Sequence, residues 1–255
     1  MCLIILAWNP TPGYRLALAA NRDEFVSRPT ARLGFHDGAP DVLAGRDLEK
    51  GGTWLGITRN GRFAGVTNFR SSIAPPPNAR SRGLVVSEFL ESDDPPAEFL
   101  ARLRTRRAFY AGFSLFAGNP HELWYYHSPK DLLRRLDTGL YGLSNRELDT
   151  PWPKVLRGKS ALSELIISGA ISAKAVFSML GDRSFPRNED LPDTGVGLSL
   201  ERVLGPVFID AAGYGTRSST FLMVRSDGEV TMTERTHDPP LRPDRNFEFR
   251  IDAAG

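Results

Sequence analysis

A chain of 255 residues with 41% hydrophobic and 24% charged residues has the balance of a globular protein with a sizeable core, and it reads as one domain over residues 1–255. A formal net charge of +2 excludes a strong electrostatic pull towards nucleic acid or a membrane surface, and the single cysteine excludes an internal disulfide or a zinc site of several thiolates. No apolar run approaches the roughly 20 residues of a membrane-crossing helix, and the apolar start Cys2–Trp8 is short, with no basic residue before it, so a signal peptide is not expected and a cytoplasmic location is.

In chain order, Cys2–Trp8 and Arg15–Ala20 flank the turn signal Asn9-Pro-Thr-Pro-Gly13 and predict a hairpin. Paired positions summing to about 23 set Cys2 opposite Asn21, within about two residues either way. Both strands are apolar on both faces, which predicts a sheet covered on each side. Thr53–Thr58 and Arg62–Asn68 flank Asn60-Gly61, the preferred pair for a two-residue hairpin turn, and the same register sets Asn68 opposite Thr53. Ser81–Glu91 and Pro96–Tyr110 carry apolar residues at helical spacing, the second with a solvated face of Arg102, Arg104, Arg106 and Arg107. Phe113–Gly118 and Leu123–His127 predict a further strand pair, and Lys154–Leu180 predicts two helices. Gly181–Gly197 and the triplet Pro75-Pro76-Pro77 read as loops. A last hairpin turns at Asp227-Gly228, joins Thr216–Arg225 to Glu229–His237, and brings Arg217 near Asp238. Antiparallel hairpins with helices between them predict an α+β layered fold of two packed sheets with helices outside.

Cys2 is the first candidate for chemistry. Removal of Met1 exposes a residue with both a thiol and an α-amine of pKa about 8, so one residue can supply a nucleophile and its base. The plainer alternative is a small apolar cysteine at a strand start. Asn21-Arg22-Asp23-Glu24 follows the second strand without a break, and the hairpin register brings it beside Cys2. Asp23 can hold an α-ammonium or orient the amine, Arg22 can stabilise a thiolate or bind a substrate carboxylate through its fixed fork of donors, and Asn21 can bind substrate. The alternative is a polar turn with an ion pair and a cap. Asn68 and Arg217 lie at hairpin ends, and Asn145 follows the strand-like Tyr141-Gly-Leu-Ser144. An asparagine amide is a neutral donor suited to an oxyanion hole. His36, His121, His127 and His237 have no metal-ligand spacing, so no metal and no cofactor are expected.

Met1-Cys2 with Asn21-Arg22-Asp23-Glu24 resembles the NRDE family, also called the transport-and-Golgi-organisation family. The resemblance extends through Gly51-Gly-Thr-Trp-Leu-Gly56, Val66-Thr-Asn-Phe-Arg70, Ser81-Arg-Gly83, Gly142-Leu-Ser-Asn145 and Gly215-Thr-Arg-Ser-Ser219, in order over most of the chain. It implies a four-layer αββα sandwich of the N-terminal-nucleophile hydrolase type, similar to the cysteine branch that includes penicillin V acylases and bile-salt hydrolases. By the resemblance Cys2 is nucleophile and base, Asp23 holds its amine, Asn68 and Asn145 lie near the oxyanion, and Arg217 lies near the thiol. One position departs: the cysteine hydrolases carry an arginine where this chain has Ala20. Arg22 is the nearest cation, with a side chain expected to leave the strand in another direction.

Two readings follow. In the first, the chain is an amidohydrolase that cleaves a non-peptide C–N bond of a small acyl-amide substrate. In the second, drawn from the haem and lipid or acyl-CoA handling in which the resembling family is implicated, the chain is a non-catalytic haem or acyl-CoA/lipid binding and trafficking protein using the same cleft; an inactive scaffold for a protein partner, for which the sequence offers no motif, ranks behind both.

Overall fold

The computed structural model describes residues 2–71, 74–238 and 242–251. Strands β1 (Cys2–Thr11) and β2 (Tyr14–Phe25) form the first hairpin. Asn9 takes a positive φ of 47° and the register shifts between Trp8 and Thr11, so one residue bulges out. Cys2 therefore pairs with Arg22, and Leu3 with Asn21. This one-residue difference from the expected register decides which side chains share a face.

Next come β3 (Thr30–His36) and β4 (Ala39–Asp47), a hairpin that the apolar pattern does not announce. Strands β5 (Leu55–Thr58) and β6 (Phe63–Asn68) turn through Asn60 and Gly61, with Gly61 at φ 82°, but the Thr58 N–H donates to the Arg62 carbonyl and Ile57 pairs with Phe63, so the loop takes in Arg59 as well and the register moves by one residue from that of a two-residue turn. The predicted pairing of Thr53 with Asn68 does not form. The Thr53 N–H instead donates to the Gly83 carbonyl at 3.1 Å, and Asn68 pairs with Phe113. Gly52 makes that departure feasible, because a Cβ there would lie 2.4 Å from the Gly83 carbonyl carbon.

Helices α1 (Gly83–Leu90) and α2 (Pro96–Thr105) follow, then β7 (Phe113–Gly118), β8 (Leu123–His127) and β9 (Leu132–Leu136). At β10 (Gly139–Leu143) the chain crosses to the first sheet and pairs with β1. Helices α3 (Pro153–Ile167) and α4 (Ala173–Leu180) lie where two helices were expected, and a short α5 (Leu198–Leu204) follows the loop. The two-residue β11 (Asp210–Ala211), β12 (Tyr214–Arg225), β13 (Glu229–Thr236) and β14 (Arg245–Arg250) complete the chain.

The strands form two antiparallel sheets, ordered β10-β1-β2-β12-β13-β14, with β11 beside β12, and β3-β4-β5-β6-β7-β8-β9. Ile4, Leu6, Leu16 and Leu18 of the first meet Leu43, Ile57, Phe63 and Phe116 of the second to form the central core. Leu3, Ile5, Ala17 and Ala19 face the opposite way, against Val155, Leu162, Val176 and Phe177 of α3 and α4. Val85, Val86, Phe89 and Leu103 of α1 and α2 cover the outer face of the second sheet. The result is the expected four-layer αββα sandwich, in which apolar residues on both faces of a strand are each buried against a different layer.

Candidate functional site

Strand alternation builds the site. Even positions of β1 and β2 point between the sheets and odd positions point at the helices. With Cys2 and Arg22 paired, both lie on the inter-sheet side, at the end of the central core where Trp54 replaces aliphatic packing. A cleft of about 290 Å³ opens here, lined by Cys2, Arg22, Asp23, Trp54, Asn68 and Arg82 among others.

Cys2 is half-buried. Burial pushes its thiol above the ordinary range and the nearby Asp23 charge adds to this, while Arg22 and the Asp23 backbone N–H pull it down. A thiol held up in this way needs a base before it can attack.

Asp23 is buried beside it. Its Oδ1 accepts a 2.7 Å hydrogen bond from the Thr216 hydroxyl, and its carbonyl accepts a 3.1 Å bond from the Tyr214 hydroxyl. Burial raises the Asp23 carboxyl above the usual range, and the positive charge of Lys154 opposes that rise. Lys154, on the first turn of α3, is 2% exposed and donates from Nζ to the Leu204 carbonyl at 3.0 Å. Burial pulls its ammonium down to about 8, and Asp23 resists the fall. A cation and an acid thus stabilise each other's charged forms close to Cys2.

Asn68 ends β6 and faces the cleft. Asn145 does not line the cleft. Fully buried, it donates from Nδ2 to the Asn68 carbonyl at 2.9 Å, and its own carbonyl accepts from the Arg70 N–H at 2.8 Å. Of the two asparagines, one reaches the cleft and the other fixes its backbone.

Three expectations change. Asn21 pairs with Leu3, so its side chain faces the helical layer, where it is 1% exposed. Its Nδ2 donates to the carbonyls of Leu180 and Val207, both at 2.9 Å, and its Oδ1 accepts from the Ser219 hydroxyl at 2.6 Å. Both donors of that amide are used within the fold, and it faces away from the inter-sheet side. Arg217 sits at a bulge in β12, between residues paired with Asp23 and Arg22. Its guanidinium makes an ion pair with Asp238 and donates to the Phe25 carbonyl at 2.5 Å, tying the ends of β2 and β13 together away from the cleft lining. Finally, Arg22 does not leave the sheet away from Ala20. The two are two residues apart and share the inter-sheet face: Ala20 is in the central core and Arg22 lies over the Trp54 ring at 4.3 Å.

Arg82 and Lys154 are site residues that residue patterns did not single out. Arg82 lies within the Ser81-Arg-Gly83 motif; it lines the cleft and feels the charge of Cys2. Lys154 looks like any helical lysine until α3 packs it inward.

With this geometry in place, likenesses to known proteins fall into line. The four-layer architecture is the N-terminal-nucleophile hydrolase fold. It is similar to that of an N-acylethanolamine-hydrolyzing acid amidase ortholog from Caenorhabditis elegans (TM-score 0.53, 12% identity, 87% of this chain and 92% of that one). It is similar also to a mutant of the conjugated bile acid hydrolase from Clostridium perfringens (TM-score 0.53, 8% identity, 98% and 92%). A family model described as Transport and Golgi organisation 2 matches residues 1–239, and the chain belongs to that family. The Homo sapiens Transport and Golgi organization protein 2 homolog is 35% identical, covering 98% of this chain and 99% of its own. The Mus musculus homolog is 34% identical over 92% and 93%, and the Drosophila melanogaster protein 28% identical over 92% and 92%. Among the described residues no helix is long and apolar enough to cross a membrane.

Proposed function

We propose that the protein is an amidohydrolase that cleaves a non-peptide C–N bond, with Cys2 as nucleophile on a chain from which Met1 has been removed. The Cys2 α-amine takes the thiol proton as Sγ attacks the acyl carbon, and Asp23, backed by Lys154, holds and orients that amine. The Asn68 amide and a backbone N–H stabilise the oxyanion, each such donor being worth about 10²–10³ in rate. The α-ammonium returns the proton to the leaving amine as the C–N bond breaks. Water then attacks the thioester, giving the free acid and regenerating the thiol.

The observation that carries this reading is the convergence of Cys2, Asp23 and Asn68 on one cleft, with a thiol whose raised pKa calls for a base at its side. The cleft volume of about 290 Å³ lies at the lower edge of the roughly 300–1,000 Å³ typical of ligand sites, and suits a small acyl amide better than a haem macrocycle. A carrier of haem or acyl-CoA is the competing reading, and it requires neither a free amine nor an acyl-enzyme. Hydrolysis of fluorogenic N-acyl amides tests the choice. Turnover lost in Cys2→Ala and strongly reduced in Asp23→Asn supports the hydrolase; turnover indifferent to Cys2 rejects it.

A further inference from the structure

Arg22 is 5% exposed, and its Nη1 is buried without a hydrogen-bond partner, although the residue lines the cleft. The guanidinium carbon lies 4.3 Å from the centroid of the Trp54 ring, a contact that uses none of its donors. Glu234 is a buried carboxylate close enough to feel Arg22, but its Oε1 accepts from the Leu33 N–H at 2.8 Å, and the two make no ion pair. Arg82 lines the same cleft, also without an ion pair among the described residues. The other cations of the lining are engaged: Arg28 with Glu24 and Asp47, Arg80 with Glu88, and Lys50 with Glu49. Arg82 also sits at the start of α1, so the positive end of that helix adds to the local field.

A buried donor without a partner carries an uncompensated desolvation cost. A ligand group that satisfies it recovers that cost on binding. The donors are planar forks, which match a carboxylate bidentately. Asp23, Glu24 and Asp47 also line the cleft and disfavour a group of higher negative charge.

We infer that the cleft seats a substrate carboxylate on Arg22 and Arg82, so that the amide opened at Cys2 carries a carboxylate a few bonds from its scissile C–N bond, as an N-acyl amino acid does. Cys2 and Arg22 are direct cross-strand partners, which keeps the acid and the reacting carbonyl close together. The cleavage rests on the hydrolase reading above; the binding rests on the cleft alone.

Calorimetry on Cys2→Ala protein separates the two. N-hexanoylglycine and the neutral N-propylhexanamide are titrated against that protein, and again with Arg22→Met or Arg82→Met added. The acid is expected to bind about tenfold or more tightly than the neutral amide, and each arginine substitution to remove most of that preference. Arg22→Lys should retain part of it. Thermal melts show that each variant is folded, and Arg82→Met, on a half-buried residue, serves should Arg22→Met unfold. Equal affinity for the two ligands, no binding of the acid, or a preference that survives the arginine substitutions overturns the subsite. If the acid binds as expected and wild-type protein never cleaves it, the hydrolase reading fails and the subsite stands.

Discussion

Asn145 donates a 2.9 Å hydrogen bond to the backbone carbonyl of Asn68, and of the two only Asn68 faces the cleft. In the proposed reaction the pair combines an oxyanion donor with a clamp on the strand end that carries it.

Substitution separates these roles. Asn68→Ala should lower the rate of Cys2 acylation by an activated ester by about 10²–10³ while leaving the melting temperature nearly unchanged. Asn145→Ala strips a buried carbonyl of its donor and should cost about 1–3 kcal/mol of stability, read by urea unfolding. A rate loss in Asn145→Ala as large as that in Asn68→Ala, with stability intact, would place Asn145 at the reacting centre instead.

Lys154 gives stability a pH dependence of known sign. Its folded pKa of about 8 lies below the value of about 10.4 expected in the unfolded chain. Between these values the unfolded chain holds more protons, so stability rises with pH through that window. The wild-type protein should therefore gain stability relative to Lys154→Met between about pH 8 and 10.4, by at most on the order of 3 kcal/mol. Urea melts at about pH 7, 9 and 10.5 measure the wild-type stability minus that of the variant; a difference that stays constant or moves in favour of the variant as pH rises contradicts the buried, depressed ammonium.

Asn21 is expected to act on the fold alone. Asn21→Ala leaves the Leu180 and Val207 carbonyls without that donor and should destabilise by on the order of 3 kcal/mol, with ligand affinity unchanged in the folded fraction. A tenfold loss of affinity at unchanged stability would return it to the substrate side.

Turn chemistry and doubly apolar strands made the hairpins at Asn60-Gly61 and Asp227-Gly228, the first hairpin and the layered plan legible from residues alone. The site was legible through the proximity of Cys2 to Asp23, but not in its detail. The turn closes at Pro12-Gly13, later than the Pro-Thr-Pro signal suggests, and the bulge at Asn9 takes back only part of that shift; the one residue that remains is enough to exchange the faces of Asn21 and Arg22. The β3–β4 hairpin hid because its strands mix charged and small residues with apolar ones, although Asp37-Gly38 marks its turn. Arg82 and Lys154 enter through tertiary packing, from α1 and α3, and no local pattern encodes an inward-facing cation.

The central claim is that Cys2 is an N-terminal nucleophile, and intact mass spectrometry tests it most directly. Purified protein is weighed before and after exposure to an activated acyl ester, beside Cys2→Ala. The expected result is a chain lighter than the encoded one by its initiator methionine, gaining one acyl group that maps to Cys2 and is absent from the variant. A chain that retains Met1, or acylation that persists unchanged in Cys2→Ala, would contradict it.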